Sequence, residues 1–158
     1  DVVLDIGANI GAFTMLAAKK SKHVFAVEPL YTDILQNNIE KNNLKNVTII
    51  NTGIGNGTHT LKYGNESKEV ELTTFKDIIK KCGQIDFLKC DCEGCEWNIE
   101  PYNLIGIRHI EIEVHKFSGM PSHKKFGQML KSAGFDCKID IRTSQTVIIH
   151  AERLNNVI

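Results

Sequence analysis

Short apolar runs alternate along the chain with stretches in which apolar side chains recur every three or four positions. Val2-Val3-Leu4-Asp5-Ile6 is short, β-branched and closed by glycine, which predicts a buried strand. Residues 12–20 predict a helix with Phe13, Leu16 and Ala17 on one face and Lys19-Lys20 near its end. A second strand is predicted over 23–28 and a second helix over 31–42, with Ile34, Leu35, Asn38 and Ile39 on one side. A third strand follows over 47–51. Residues 53–67 are rich in Gly, Asn, Thr and Ser and predict a loop with a short hairpin around 59–63. Thr74-Phe75-Lys76-Asp77 reads as a capping box that opens a short helix to Lys81. Residues 85–90 and 108–115 are the fourth and fifth predicted strands. Residues 122–133 predict a helix with Phe126, Met129, Leu130 and Ala133 inward, stopped by Gly134. Two last strands, 135–141 and 146–151, are joined by a short polar turn, which makes them an antiparallel hairpin.

Strands alternating with helices imply right-handed crossovers and an α/β fold. The expectation is a three-layer, Rossmann-like sheet, mostly parallel, with one antiparallel strand added by the C-terminal hairpin. The 158 residues match the roughly 150 of one domain, and no repeat or linker breaks them. A single domain over 1–158 is expected. Because the sequence opens directly on the first strand, an upstream N-terminal segment is expected to be missing.

Composition narrows the function classes. Lys plus Arg number 19 and Asp plus Glu number 19, for a net charge of zero. That balance argues against a broad phosphate-binding surface, so no nucleic-acid partner is expected. No stretch approaches the roughly 20 apolar residues of a membrane span, and no signal-peptide pattern is present. No membrane partner is expected, and the location is expected to be cytoplasmic. Three of the five cysteines crowd into Cys90-Asp91-Cys92-Glu93-Gly94-Cys95, unlike a secreted disulfide framework, which favours a reducing compartment.

The chemistry begins at Asp5-Ile6-Gly7-Ala8-Asn9-Ile10-Gly11, which joins the first strand to the first helix. Glycines permit torsions and close ligand approach that a Cβ forbids. The helix start beyond them offers unpaired N–H groups and a positive dipole end. Glu28 ends the next strand, at the offset where a nucleoside's ribose hydroxyls would lie. Asn9 replaces the middle glycine of a dinucleotide fingerprint and hinders close approach of a pyrophosphate. A smaller group, such as the amino-acid end of S-adenosyl-L-methionine, suits the loop better.

Asp5-x-Gly7-x-Asn9-x-Gly11, Val27-Glu28-Pro29 and above all Asp86-Phe87-Leu88-Lys89-Cys90-Asp91-Cys92-Glu93-Gly94-Cys95-Glu96 resemble the FkbM-like methyltransferases, whose fold is similar to class I. The resemblance implies S-adenosylmethionine as cofactor. It implies that Asp5, Gly7, Asn9 and Gly11 hold the methionine part, that Glu28 binds the ribose, and that Asn51 and Gly53 lie by the adenine. It places Asp91 and Glu93 at the active cleft, Asp91 nearer the cofactor. The acceptor it implies is a hydroxyl on a small molecule such as a sugar or polyketide. The alternative is a non-catalytic nucleoside-binding module of a larger biosynthetic protein. The Asn/Asp-Pro-Pro-aromatic run of amino-methylating enzymes is missing from the fourth-strand motif.

Lys89, Asp91 and Glu93 alternate at the carboxyl end of the fourth strand, where open α/β sheets bind ligands. Glu111, Glu113 and His115 alternate along the fifth and share one face, with Lys89 a candidate partner for the acids. His115, Asp91 and Glu93 are the candidates for the base that takes a hydroxyl proton. The cysteines are expected to be structural, Cys90 and Cys92 as small buried hydrophobes, and no metal is expected.

Overall fold

Short apolar runs form the strands of the large sheet, and the amphipathic stretches between them pack as helices on its faces. The computed structural model describes residues 1–63 and 66–154. Its elements are β1 (Val2–Ile6), α1 (Ala12–Ala18), β2 (His23–Val27), α2 (Thr32–Lys41), β3 (Val47–Ile50), β4 (Gly53–Ile54), β5 (Gly57–Tyr63) and β6 (Glu66–Thr73). There follow α3 (Phe75–Cys82), β7 (Phe87–Cys90), β8 (His109–His115), α4 (His123–Ser132), β9 (Phe135–Ile141) and β10 (Thr146–Arg153). Two 3₁₀ turns, Cys95–Asn98 and Pro101–Leu104, lie between β7 and β8.

The large sheet runs β3-β2-β1-β7-β8-β10-β9. All pairs from β3 to β8 are parallel, and β10 is antiparallel to both β8 and β9. The chain winds outward from β1 to β3 and then returns to lay β7 on the other side of β1. The strand order therefore reverses between β1 and β7, the place where such sheets open a crevice at their carboxyl ends.

The core lies mainly beneath β7, β8 and β10. Ile110, Ile112 and Val114 alternate inward on β8 against Phe126 and Leu130 of α4, leaving Glu111, Glu113 and His115 on the opposite face. Each such fully buried aliphatic side chain stabilises the fold by about 1.5–3 kcal/mol. The cap at Thr74 forms as the sequence predicts: its hydroxyl oxygen accepts the Asp77 N–H at 3.1 Å.

Three local expectations change. On α1 the buried side chains are Thr14 and Ala18, while Leu16 is 64% exposed. The helix turns Thr14 inward because its hydroxyl satisfies the buried Asp5, at 2.6 Å. On α2, Leu35 and Ile39 face the core and Ile34 is exposed. The expected loop over 53–67 is largely strand, and the short hairpin expected around 59–63 is longer: β4, β6 and β5 form a separate three-stranded sheet. Residues 64 and 65 of that stretch lie outside the described residues. Among the described residues, no helix is long and apolar enough to cross a membrane.

Candidate functional site

The glycine loop leaves β1 and folds back on β2. The N–H groups of Gly7 and Ala8 both donate to the Val27 carbonyl, at 3.0 and 3.1 Å. Gly7 has φ +76°, and a Cβ there would lie 1.7 Å from the Asp91 carbonyl oxygen. Only glycine allows the loop to touch the end of β7 this closely. Asn9 is also left-handed, and its N–H donates to Glu28 Oε2 at 2.8 Å. Glu28 Oε1 accepts the N–H groups of Leu30, at 2.7 Å, and Tyr31, at 3.1 Å. Three charge-assisted bonds thus fix a carboxylate that is only 5% exposed.

Loop and carboxylate open on a cleft of about 720 Å³ at the carboxyl ends of β1, β2 and β7. Gly7, Asn9 and Glu28 line one side, and Lys89, Asp91 and Glu93 line another. Thr52 and Gly53 close a third, and His59, Leu61, Lys62 and Leu72 of the small sheet complete the wall. Thr52 is tied to that sheet: its hydroxyl donates to the Glu71 carbonyl at 2.9 Å and lies 3.0 Å from the Thr73 hydroxyl.

Beneath the loop lies Asp5, fully buried on β1. Its register partner across the sheet is Lys89, whose Nζ is 3.5 Å from Asp5 Oδ1. The same ammonium lies 3.4 Å from the Gly7 carbonyl and 4.0 Å from Asp91 Oδ2. Burial raises the Asp5 carboxyl above the usual range, and the Lys89 charge opposes that rise.

At the end of β7 the chain turns through two left-handed residues, Glu93 at φ +55° and Gly94 at φ +113°. The turn sends Glu93 outward and Glu96 fully inward. Glu96 Oε1 accepts the His115 backbone N–H and lies 3.2 Å from His115 Nδ1. Glu96 Oε2 accepts the Gly94 N–H at 2.8 Å. Trp97 Nε1 donates to the His115 carbonyl at 2.7 Å. His115 Nε2 faces Glu93 Oε2 at 3.4 Å and Glu113 Oε1 at 3.7 Å. Burial raises the Glu113 carboxyl, the nearby Asp91 and Glu93 charges add to the rise, and His115 opposes it. Ligand atoms of Asp91, Glu93 and His115 lie within 4.8 Å of one another, compact enough for a divalent cation. Each acid already has a basic neighbour, Lys89 for Asp91 and His115 for Glu93 and Glu113.

Against this geometry stand the comparisons with known proteins. Residues 5–137 match the methyltransferase FkbM domain. The chain belongs to the FkbM methyltransferase family. The FkbM methyltransferase of Methylobacillus flagellatus KT superposes with a TM-score of 0.67 at 16% identity, over 95% of this chain and 43% of that one. Streptococcus mutans SMU.1697c, solved in complex with SAH, superposes with a TM-score of 0.65 at 15% identity, over 97% of this chain and 88% of that one. At such identities the likeness is one of fold. A protein of Methanosphaera stadtmanae named "Probable ribosomal RNA small subunit methyltransferase A" is 46% identical over 52 residues. That match covers 32% of this chain and 19% of the relative's length.

The last finding corrects the expectation about partners. Zero net charge argues against a nucleic-acid partner, yet this FkbM chain shares a 52-residue segment with a protein named for ribosomal RNA. Net charge sums over the whole surface and does not report the local surface that meets an acceptor.

Of the FkbM motif residues, Gly7, Asn9, Glu28, Gly53, Asp91 and Glu93 line the cleft. Asp5 lies under it, paired to Lys89 and Thr14. Gly11 is a packing position: a Cβ there would meet Leu35 Cδ1 at 2.6 Å. Asn51, between β3 and β4, is exposed and outside the lining, and Thr52 lines the cleft in its place. His115 sits one contact behind the wall, against Glu93. Lys89 serves Asp5 and Asp91, whereas Glu111 pairs with His150 at 3.5 Å. Cys92 and Cys95 are joined as a disulfide, contrary to the expectation of Cys92 as a small buried hydrophobe. Only Cys90 fits that description fully, and burial pushes its thiol up. Sequence reasoning did not anticipate the small-sheet wall or the clamp of Glu96 and Trp97 on His115.

Proposed function

We propose that this methyltransferase binds S-adenosylmethionine in the 720 Å³ cleft and methylates a hydroxyl oxygen. One observation carries the reading: Glu28, a carboxylate locked by three backbone N–H groups, faces the glycine loop in the same cleft as Asp91 and Glu93. A carboxylate offers roughly four acceptor sites, so one site on Oε2 remains for a ribose hydroxyl. Gly7, Asn9 and Gly53 surround the rest of the cofactor, and Asp91 meets it from β7. The cofactor supplies its methyl group as a sulfonium, already bonded to a good leaving group.

The protein's larger contribution is alignment of the acceptor oxygen. A base is still needed for the hydroxyl proton and contributes on the order of 10²–10⁴-fold. Glu93 lines the cleft and has His115 Nε2 behind it, so this pair takes the proton in our reading, with Asp91 held by Lys89. Family resemblance points to sugar or polyketide hydroxyls, and the shared segment with the ribosomal RNA relative keeps RNA among the acceptors to test.

Calorimetry tests the cofactor. Wild type binds S-adenosylmethionine, and Glu28→Ala weakens it by about 1.5–3 kcal/mol, the worth of a hydrogen bond to a charged group. Binding of NAD in its place overturns the assignment. Labelled methyl transfer to methyl glycosides, polyketide alcohols and small-subunit ribosomal RNA then tests the acceptor. Methylation confined to an RNA base nitrogen ends the hydroxyl reading.

A further inference from the structure

Glu96 is fully buried, lies outside the cleft lining and is not needed to hold the cofactor. Its two oxygens are nevertheless aimed. Oε1 takes the His115 backbone N–H and stands 3.2 Å from Nδ1, and Oε2 takes the Gly94 N–H. A buried carboxylate needs donors on its oxygens. Here the donors come from the end of β8 and from the turn that carries Glu93. The neighbouring Trp97 holds the His115 carbonyl, so both main-chain polar groups of His115 are bound by one short turn.

We infer that Glu96 is the positioning residue of the Glu93–His115 pair. Carboxylates face both ring nitrogens, but Nδ1 has the shorter contact, 3.2 Å to the fully buried Glu96, against 3.4 Å to the exposed Glu93 and 3.7 Å to Glu113 at Nε2, so the ring proton sits on Nδ1. Nε2 is then left as a bare acceptor facing Glu93 at 3.4 Å. The inference rests on the reading above, in which that pair receives the hydroxyl proton. The step balances: the acceptor oxygen forms its bond to the methyl carbon as the sulfonium carbon–sulfur bond breaks, and the O–H proton passes to Glu93 Oε2 and on to His115 Nε2. The imidazolium so formed lies between Glu96, Glu93 and Glu113. Asp91 also lies within 4.8 Å of this group, and Arg142 acts on the neighbouring Glu113. The other tautomer would put a proton on Nε2 and close that route.

The ¹⁵N shifts of the His115 ring in the resting protein test the inference without any acceptor. Wild type shows neutral His115 protonated on Nδ1, and Glu96→Gln moves population to the Nε2–H form. Trp97→Phe is the structural control: it removes the other half of the clamp and leaves the tautomer unchanged. Wild type already protonated on Nε2, or the same tautomer in wild type and Glu96→Gln, overturns the inference. Should Glu96→Gln fail to fold, the wild-type spectrum still decides. With an acceptor found productive above, Glu96→Gln lowers turnover on the order of 10²-fold, with S-adenosylmethionine affinity kept within about twofold. A shifted tautomer with undiminished turnover overturns the proton route through Glu93 and His115, and the fault then lies in the choice of base.

Discussion

The α-carbon of Gly7 stands so close to the carbonyl oxygen of Asp91 that a Cβ would meet that oxygen at 1.7 Å. The first residue beyond β1 and the first beyond β7 therefore touch backbone to backbone, at the reversal of strand order. A methyl group cannot enter without parting the two strand ends. Gly7→Ala must also adopt a left-handed torsion, which alone costs about 1–2 kcal/mol in an L-residue. The variant is expected to lose at least about 2 kcal/mol in denaturant titration and all measurable cofactor binding. Normal stability with normal affinity would show that the contact is dispensable.

Lys89→Met strands Asp5. Removing one partner of a buried pair typically costs about 3–5 kcal/mol, and protonation of Asp5 relieves part of it. Because the Asp5 carboxyl is already raised, its folded form binds more protons than its unfolded form, so stability falls as pH rises. The deficit of Lys89→Met should therefore be larger at pH 7 than at pH 4. Urea midpoints at the two pH values check this, and a deficit that does not vary with pH counts against it.

Asp86 behaves in the opposite sense. Its Oδ2 accepts the Val2 N–H at 2.7 Å, and Arg108 Nε lies 3.5 Å from Oδ1. The backbone bond above all, with Arg108 adding to it, holds this carboxyl below the usual range. Its contribution is present above the unfolded-state value and lost as pH falls through the folded one. Asp86→Asn should cost about 1–2 kcal/mol at pH 7. The gap should close on acidification below about pH 4. A gap of constant size would assign the loss to packing.

Chelation separates a shared proton from a bound cation at Asp91, Glu93 and His115. Since each acid already has a basic neighbour, dialysis against EDTA should leave turnover and cofactor affinity unchanged. Loss of turnover restored by added Mg²⁺ would make the three residues ligands.

The large sheet was legible because its strands are short apolar runs separated by amphipathic stretches, one of them opened by the cap at Thr74. That Gly7, Glu28, Asp91 and Glu93 share the cleft lining was legible because glycines and charges at strand ends stand out by residue type. The sequence did not carry Glu96 as a clamp on His115. That link joins residues 19 positions apart through a one-turn 3₁₀ segment with no period to read. Leu16 misled for a related reason: the polar demand of Asp5 for Thr14 outweighed the apolar face of α1. The bridge between Cys92 and Cys95 was hidden because a close pair in one tight turn does not resemble a spread framework. Strands β5 and β6 were underestimated because exposed, polar strands lack the apolar alternation that marks a half-buried one.

That small sheet has a consequence for how the site can change. Its strands pair among themselves and with no strand of the large sheet among the described residues, yet His59, Leu61, Lys62 and Leu72 face the cleft. Exchanges at His59 or Lys62, both exposed, alter the cleft's outer contacts without shifting the register that fixes Gly7 against Asp91. Wall and scaffold are thus separately mutable: the outer wall of the cleft can change shape while the strand ends beneath it keep their register.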